Sequence, residues 1–247
     1  MHIRHFTITL CIAILFISGC KKDDPETSAT PAPAPAAITV TDVEGSIYST
    51  ITIGSQVWMA ENLRTGQYRD GSTIPNVPDN TAWSMLTTGA WSVYGNYAGN
   101  NVTYGKLYNW FAVTDPRGLC PQGWHVPSDT EWKQLEMHLG LSASDANLAG
   151  YRGETQSIGG KLKSTSDLWD APNTGATNTS GFSALPGGYR IDNGDFIGVG
   201  SYGDWWTSTQ VDTQFAWGRD LDNEDAGVYR FGDLPKKNGQ CVRCLRD

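Results

Sequence analysis

The sequence predicts an α+β fold in which a few short helices precede a β-rich half, with long loops between elements. Gly118–Trp132, GLCPQGWHVPSDTEW, holds the clearest helix start: Ser128 and Glu131 have the spacing of a capping box. Pro127 keeps the chain extended up to that start, and Trp132, Leu135 and Leu139 then share one helical face. Beyond Leu162 no long helical period appears. Glycine, asparagine and aspartate there punctuate short aromatic segments, as in antiparallel strands joined by loops. No repeat of solenoid or propeller period is present.

The elements follow in order. His2, Arg4 and His5 precede an apolar run, Phe6–Ile17, broken only by Thr7 and Thr9. That run is short for a membrane span and has the size of a signal-peptide core. It ends in Ile17-Ser18-Gly19-Cys20, which resembles a bacterial lipobox, so residues 1–19 are expected to be removed and Cys20 to carry lipid. The membrane is then a partner through that anchor, since several acyl chains hold stably where one does not. Residues 20–37 form the lipidated cysteine and a Pro/Ala-rich tether. Its composition favours extended polyproline II and reaches up to about 50 Å at roughly 3.1 Å per residue. Lys21-Lys22-Asp23-Asp24 resembles the export signal of Bacteroidetes surface lipoproteins, although a solvated charged spacer reads the same way. The expected location is the outer membrane, lipid-anchored and surface-exposed.

The remaining residues, 38–247, suffice for one domain with a core. Ile38-Thr39-Val40 and Ser46–Ile53 alternate like strands, and Gly54-Ser55 turns the chain into a further strand, Gln56–Met59. Residues 69–80 read as a loop and 83–101 as irregular surface structure. Lys106–Thr114 has helical spacing, the capped helix continues through Leu139, and a helical turn lies near Ser144–Leu148, where Ser142 or Ser144 can cap. Asn193-Gly194 predicts a type I′ hairpin. Asp204–Thr209, Gln214–Leu221, Gly227–Phe231 and Gln240–Leu245 complete the strands.

Charge and cysteine usage narrow the partners. Loss of residues 1–19 removes one arginine, leaving 17 basic against 26 acidic side chains, a net charge of −9. Nucleic acid needs a basic footprint and is not expected as a partner. Cys120, Cys241 and Cys244 allow at most one internal bridge. Cys241-Val-Arg-Cys244 lacks the following helix of a redox motif, so no redox role is expected.

Six blocks, GSQVWMAENLRT (54–65), YGKLYNWFAV (104–113), the 118–132 segment, GFSALPGGYR (181–190), DWWTST (204–209) and CVRCLRD (241–247), together resemble the Fibrobacter succinogenes major paralogous domain. The resemblance covers nearly all of residues 40–247 and implies a C-type lectin-like fold, similar also to that of sulfatase-modifying factors. It further implies a disulfide between Cys120 and Cys244, which would tie the helix entry to the last strand. Closing such a loop stabilises by up to about 4–5 kcal/mol in the chain-entropy model. The family usually has a small polar residue where Cys241 stands, and the pair Cys120–Cys241 remains open.

No catalytic group, cofactor or metal is expected. His125 shows no acidic partner or nucleophile at informative spacing and reads as structural; no GxSxG elbow surrounds Ser208. The cysteine pair of formylglycine-generating relatives has no counterpart, so an enzyme is not expected. Lectin calcium motifs are missing: no Glu-Pro-Asn or Gln-Pro-Asp occurs, and Trp205-Trp206-Thr207-Ser208 lacks Asn-Asp. Asp220-x-Asp222-x-Glu224 lacks a glutamate at Phe231 and reads as a solvated hairpin tip. Ten tryptophans exceed what a core of this size usually needs. Trp58, Trp110, Trp124 and Trp132 fit the core, whereas Trp83, Trp91 and Trp169 lie in Gly/Asn-rich loops. Trp205 and Trp206 are adjacent on a strand, one facing in and one out. Those five are the expected ligand-binding residues of a binding or adhesion module for polysaccharide or a surface protein. The alternatives are a structural or fimbria-associated envelope component and, less favoured, an uncharted enzyme.

Overall fold

A computed structural model describes residues 38–247; the signal peptide, Cys20 and the tether expected over residues 1–37 lie outside the described residues. The chain opens as an antiparallel meander of β1 (Thr39–Thr41), β2 (Ile47–Ile53) and β3 (Gln56–Met59), with Gly54 at φ +62° in the β2–β3 turn. A side chain on Gly54 would meet the His138 ring at 2.9 Å, so glycine serves both the turn and the close approach. Short elements follow: α1 (Asn80–Ser84), β4 (Trp91–Ser92), α2 (Gly99–Tyr104), β5 (Leu107–Tyr108), α3 (Trp110–Val113) and β6 (Trp124–His125). After α4 (Asp129–His138) come β7 (Gly150–Arg152), α5 (Ile158–Leu162) and the strands β8 (Tyr189–Arg190), β9 (Phe196–Ile197), β10 (Tyr202–Gln210), β11 (Phe215–Asp222), β12 (Val228–Pro235) and β13 (Leu245–Arg246).

This is the predicted α+β arrangement of short helices on small antiparallel sheets. One sheet has the order β1-β2-β3-β13-β6, a second β10-β11-β12-β7, and two-stranded ribbons pair β4 with β5 and β8 with β9. The last strand sits inside the first sheet, where Leu245 pairs with both Trp58 and His125. The capping box is formed: Ser128 Oγ accepts from Glu131 N, and the Glu131 carboxylate accepts from Ser128 N at 2.7 Å.

Several expectations need correction. Within 106–114 the helix starts only at Trp110, because the Asn109 side chain caps it by accepting from Ala112 N, and Leu107–Tyr108 are paired in β5. Helices α2 and α5 occupy stretches read as loop. Their sequences, GNNVTY and IGGKL, have poor helix propensity and form in tertiary context. In α5 a Cβ on Gly159 would fall 1.8 Å from the Gly227 carbonyl, so packing requires the glycine that hides the helix. The hairpin at Asn193-Gly194 is not type I′. Only Gly194 has positive φ, at +99°, after a turn in which its N–H donates to Ile191 O, the pattern of a type I turn followed by a left-handed glycine. Residues 239–241 make single bridges to Arg190, Tyr108 and Trp205 in turn, so the expected strand 240–245 shrinks to β13.

Two hydrophobic clusters form the core, and β10 runs between them. Trp206 packs in one, with Tyr108, Trp110 and Trp124; Trp205 packs in the other, with Trp58, Trp132 and Phe182. The Cys120–Cys244 bridge is present, Cα atoms 6.0 Å apart and 124 residues apart in sequence. Cys241 stays a free buried thiol in the second cluster, on the other side from Cys244, which removes the alternative pairing.

Helix α4 is fastened to the second sheet by buried charge. Asp129 accepts from the Arg219 guanidinium at 2.9 Å and from Nε and Nη2 of Arg230 at 2.8 Å, while Glu136 binds Arg219 and Arg152. Burial alone would raise the Asp129 pKa, but its hydrogen bonds and charge attraction to Arg230 and Arg219 lower it to about 2. Replacing Glu136 by alanine leaves two buried guanidinium groups short of a carboxylate. The expected cost in urea unfolding is about 3–5 kcal/mol, and a loss below about 1 kcal/mol would refute this account of the network.

Candidate functional site

The face of the second sheet turned away from α4 carries the unsatisfied chemistry of the domain. Strand register places Asp204 of β10 opposite Asp220 of β11, Asp220 opposite Tyr229 of β12, and Tyr229 opposite Tyr151 of β7. Registered residues share a face, and the two-residue period adds Tyr202 and Trp206, Asp222, and Phe231 to it. The face passes from core to solvent. Trp206 lies in the first cluster and Phe231 packs against it, Tyr229 is half-buried, and Tyr151 is 42% exposed. Tyr151 and Tyr229 meet edge-on with centroids 4.8 Å apart, and Tyr229 and Phe231 lie 4.5 Å apart. Tyr189 of β8 approaches Tyr202 in a T-shaped pair at 6.3 Å.

Beside these rings stand carboxyl groups without partners. Asp204 is 2% and Asp220 6% exposed, yet Asp204 Oδ2 and Asp220 Oδ1 have no hydrogen-bond partner among the described residues. Burial raises both carboxyls well above the ordinary carboxylate range. The second cause is the neighbouring charge of Asp220 for Asp204, and of Asp222 for Asp220. The Tyr151 hydroxyl donates to Asp222 Oδ2 at 2.9 Å. The cation beside them, Lys163, donates instead to the main-chain carbonyls of Asp222 and Asp225 at 2.6 and 2.7 Å, and burial lowers its pKa to about 8. Among the described residues no three His, Cys, Asp or Glu side chains converge as metal ligands. Such a face offers flat rings and hydrogen-bond acceptors to a ligand rich in donors.

His125 gains the acidic partners its sequence neighbourhood did not suggest. Its Nδ1 lies 2.6 Å from Asp247 Oδ1 and its Nε2 2.9 Å from Glu131 Oε1, and Ser128 Oγ donates to the other Glu131 oxygen at 2.8 Å. Asp247 comes from beside β13, 122 residues away, which no spacing rule could anticipate. The serine addresses the glutamate, not the imidazole, so the group ties β6, α4 and β13 together. Burial works against the charged imidazole, but hydrogen bonds to Asp247 and Glu131 outweigh it and raise the His125 pKa.

The five tryptophans expected to bind ligand are not brought to one surface. Trp83 is fully buried and Trp169 5% exposed, Trp91 is half-buried, and Trp205 and Trp206 both lie in the core. None of the ten indoles is exposed. The expectation of one strand residue in and one out failed because both faces of β10 are covered at that point. Two of the loop tryptophans are drawn in where their N–H groups satisfy loop carbonyls, Trp91 donating to Ile74 O at 2.9 Å and Trp169 to Ala184 O at 3.0 Å, whereas Trp83 is covered by the Arg190 guanidinium and its N–H has no partner among the described residues. The Asp220-x-Asp222 motif is likewise no solvated tip, since Asp220 is paired inside β11. Its two-residue spacing, repeated in Tyr202-x-Asp204 and Tyr229-x-Phe231, was the signal that marked one sheet face.

The sequence profile described as the Fibrobacter succinogenes major domain matches residues 51–246. No curated protein and no solved structure matches the chain.

The histidine cluster sets a pH dependence. A folded-state pKa raised above the unfolded value of about 6.5 contributes stability that is complete below that value and is lost as pH rises through the folded pKa. His125→Gln should therefore lower the urea midpoint at about pH 5.5 and leave it nearly unchanged at about pH 9. A constant difference across that range would refute the assignment.

Proposed function

The chain belongs to the Fibrobacter succinogenes major domain family, and we propose that it is a non-catalytic binding or adhesion module held at the outer-membrane surface by lipid on Cys20. Its ligand on this reading is a polysaccharide, and its site is the tyrosine–aspartate face of the second sheet. One observation carries the reading: the Tyr151–Tyr229–Phe231 strip lies beside carboxyl oxygens that have no partner among the described residues. Sugar rings present C–H faces that stack on aromatic rings and hydroxyls that donate to carboxylates, so both halves of the site have a use. The lipobox-like Ile17–Cys20 and the Pro/Ala-rich segment after it support the anchor and a domain carried clear of the membrane.

The alternative readings separate in one experiment. On a glycan array the protein should bind at least one polysaccharide. Tyr151→Ala should weaken that binding about tenfold, the loss of one stacking contact of roughly 1–3 kcal/mol. Trp91→Ala should leave it unchanged. Absence of glycan binding, with co-purification of envelope proteins, would replace this reading with a structural role. Radiolabelled palmitate should label the protein and fail to label Cys20→Ala; labelling that survives the substitution would remove the anchor.

A further inference from the structure

Resting on that reading, we infer that the site selects glycans bearing free amino groups: its ligand is a polysaccharide of protonated amino sugars, with an ammonium group seated at Asp222, beside the buried Asp220. Three observations converge on a cation. The carboxyls come in two close pairs, Asp204 with Asp220 inside the sheet and Glu154 with Asp225 at its edge, and Asp222 lies between them. Each pair sets two carboxyls side by side, so that each opposes the ionisation of the other; a neighbouring cation favours that ionisation and a further anion opposes it more. Lys163 offsets this charge only in part: its field acts on Asp220, but its ammonium hydrogen-bonds to two main-chain carbonyls and to no carboxylate among the described residues.

The buried carboxyls separate this face from an ordinary acidic surface. Asp220 Oδ1 and Asp204 Oδ2 are shielded from water and unpartnered, on the same sheet face as Asp222 and Tyr229. An unpaired buried acceptor has a strong demand for a donor, and an ammonium brings three. The rings reinforce the choice, since a cation is attracted to an aromatic face while a carboxylate is not. The acidity is spread along the strands and forms no convergent metal cage among the described residues, which favours a ligand with several ammonium groups along a chain over one compact ion. Acidic polysaccharides are excluded on the same ground: uronates and sulfates would meet like charge along the whole row.

Titration calorimetry of the detergent-solubilised full chain against four probes tests this. Glucosamine oligomers should bind, with affinity that falls as salt is raised. N-acetylglucosamine oligomers should bind about tenfold more weakly, the loss of a charge-assisted hydrogen bond, and galacturonate oligomers should not bind. Asp222→Asn should weaken glucosamine binding by about the same factor. Glu154→Gln, at an exposed side chain, should weaken it in the same direction without changing the melting temperature, which keeps the test decisive if the Asp222 variant folds poorly. Equal affinity for acetylated and free oligomers, with binding still lost in Tyr151→Ala, would overturn the amino-group selectivity and leave the polysaccharide reading intact. Binding to lysine oligomers but to no glycan would overturn both.

Discussion

The cluster of Asp129, Glu136, Arg152, Arg219 and Arg230 fixes how everything else is arranged. It joins the ten-residue helix α4 to three of the four strands of the second sheet, with every charged group at most slightly exposed. A buried carboxylate or guanidinium is tolerable only while its partners stay in place, so the network makes the docking of α4 nearly all-or-none. The capping box at Ser128 and Glu131 sets where that helix begins, and hence which turn presents Asp129 to Arg219 and Arg230. Once α4 covers one face of the sheet, the other face is shared between the first core cluster and solvent.

The same logic operates wherever the chain lacks regular structure. Loops that fold inward carry carbonyls without ladder partners, and long donors reach them. Arg190, fully buried between the rings of Trp83 and Phe196, donates to Gly194 O, Val77 O, Pro78 O and Asn80 Oδ1, which fastens the 77–80 loop to the β8–β9 hairpin. Arg243 reaches Phe182 O and Asn62 Oδ1, and Trp205 Nε1 donates to that same Asn62 oxygen at 2.9 Å. Arginine and tryptophan therefore act here as internal donors with large apolar bodies. Their abundance measures the amount of loop to be fastened, not the size of a binding surface.

Legibility in the sequence divides along this line. The capping box, the β2–β3 meander, the long strands β10 to β12 and the alternation that defines them depend on neighbours within a few residues, and each was readable. The disulfide was readable only through family resemblance, because three cysteines permit more than one pairing. What escaped was set by distant partners. Asp247 reaches His125 across 122 residues, position 159 must be a helix-disfavouring glycine because the Gly227 carbonyl leaves no room for a side chain, and the Trp83 ring is covered by Arg190. The tyrosine–aspartate face was half legible: its two-residue spacing is in the sequence, but its members come from four strands, and only strand register places them side by side.

Arg219 and Asp220 show in two adjacent residues why the candidate site lies where it does. The strand period sends them to opposite faces of β11. On the α4 side, Arg219 meets two carboxylates, and the Asp129 pKa falls to about 2. On the other side, Asp220 meets Asp204 across the strand pair and Asp222 along it, and burial with those neighbours drives its pKa the opposite way. Both faces belong to one sheet, and the chain places three guanidinium groups on one of them, while the cation described beside the other, Lys163, hydrogen-bonds to carbonyl oxygens. Stability alone would be served by an asparagine at Asp204, which removes the cost of ionising a buried carboxyl beside Asp220 and nearly keeps its volume. An uncompensated carboxyl pair beside half-buried tyrosines is therefore the place where the fold gives up stability, and such places are where binding chemistry is concentrated.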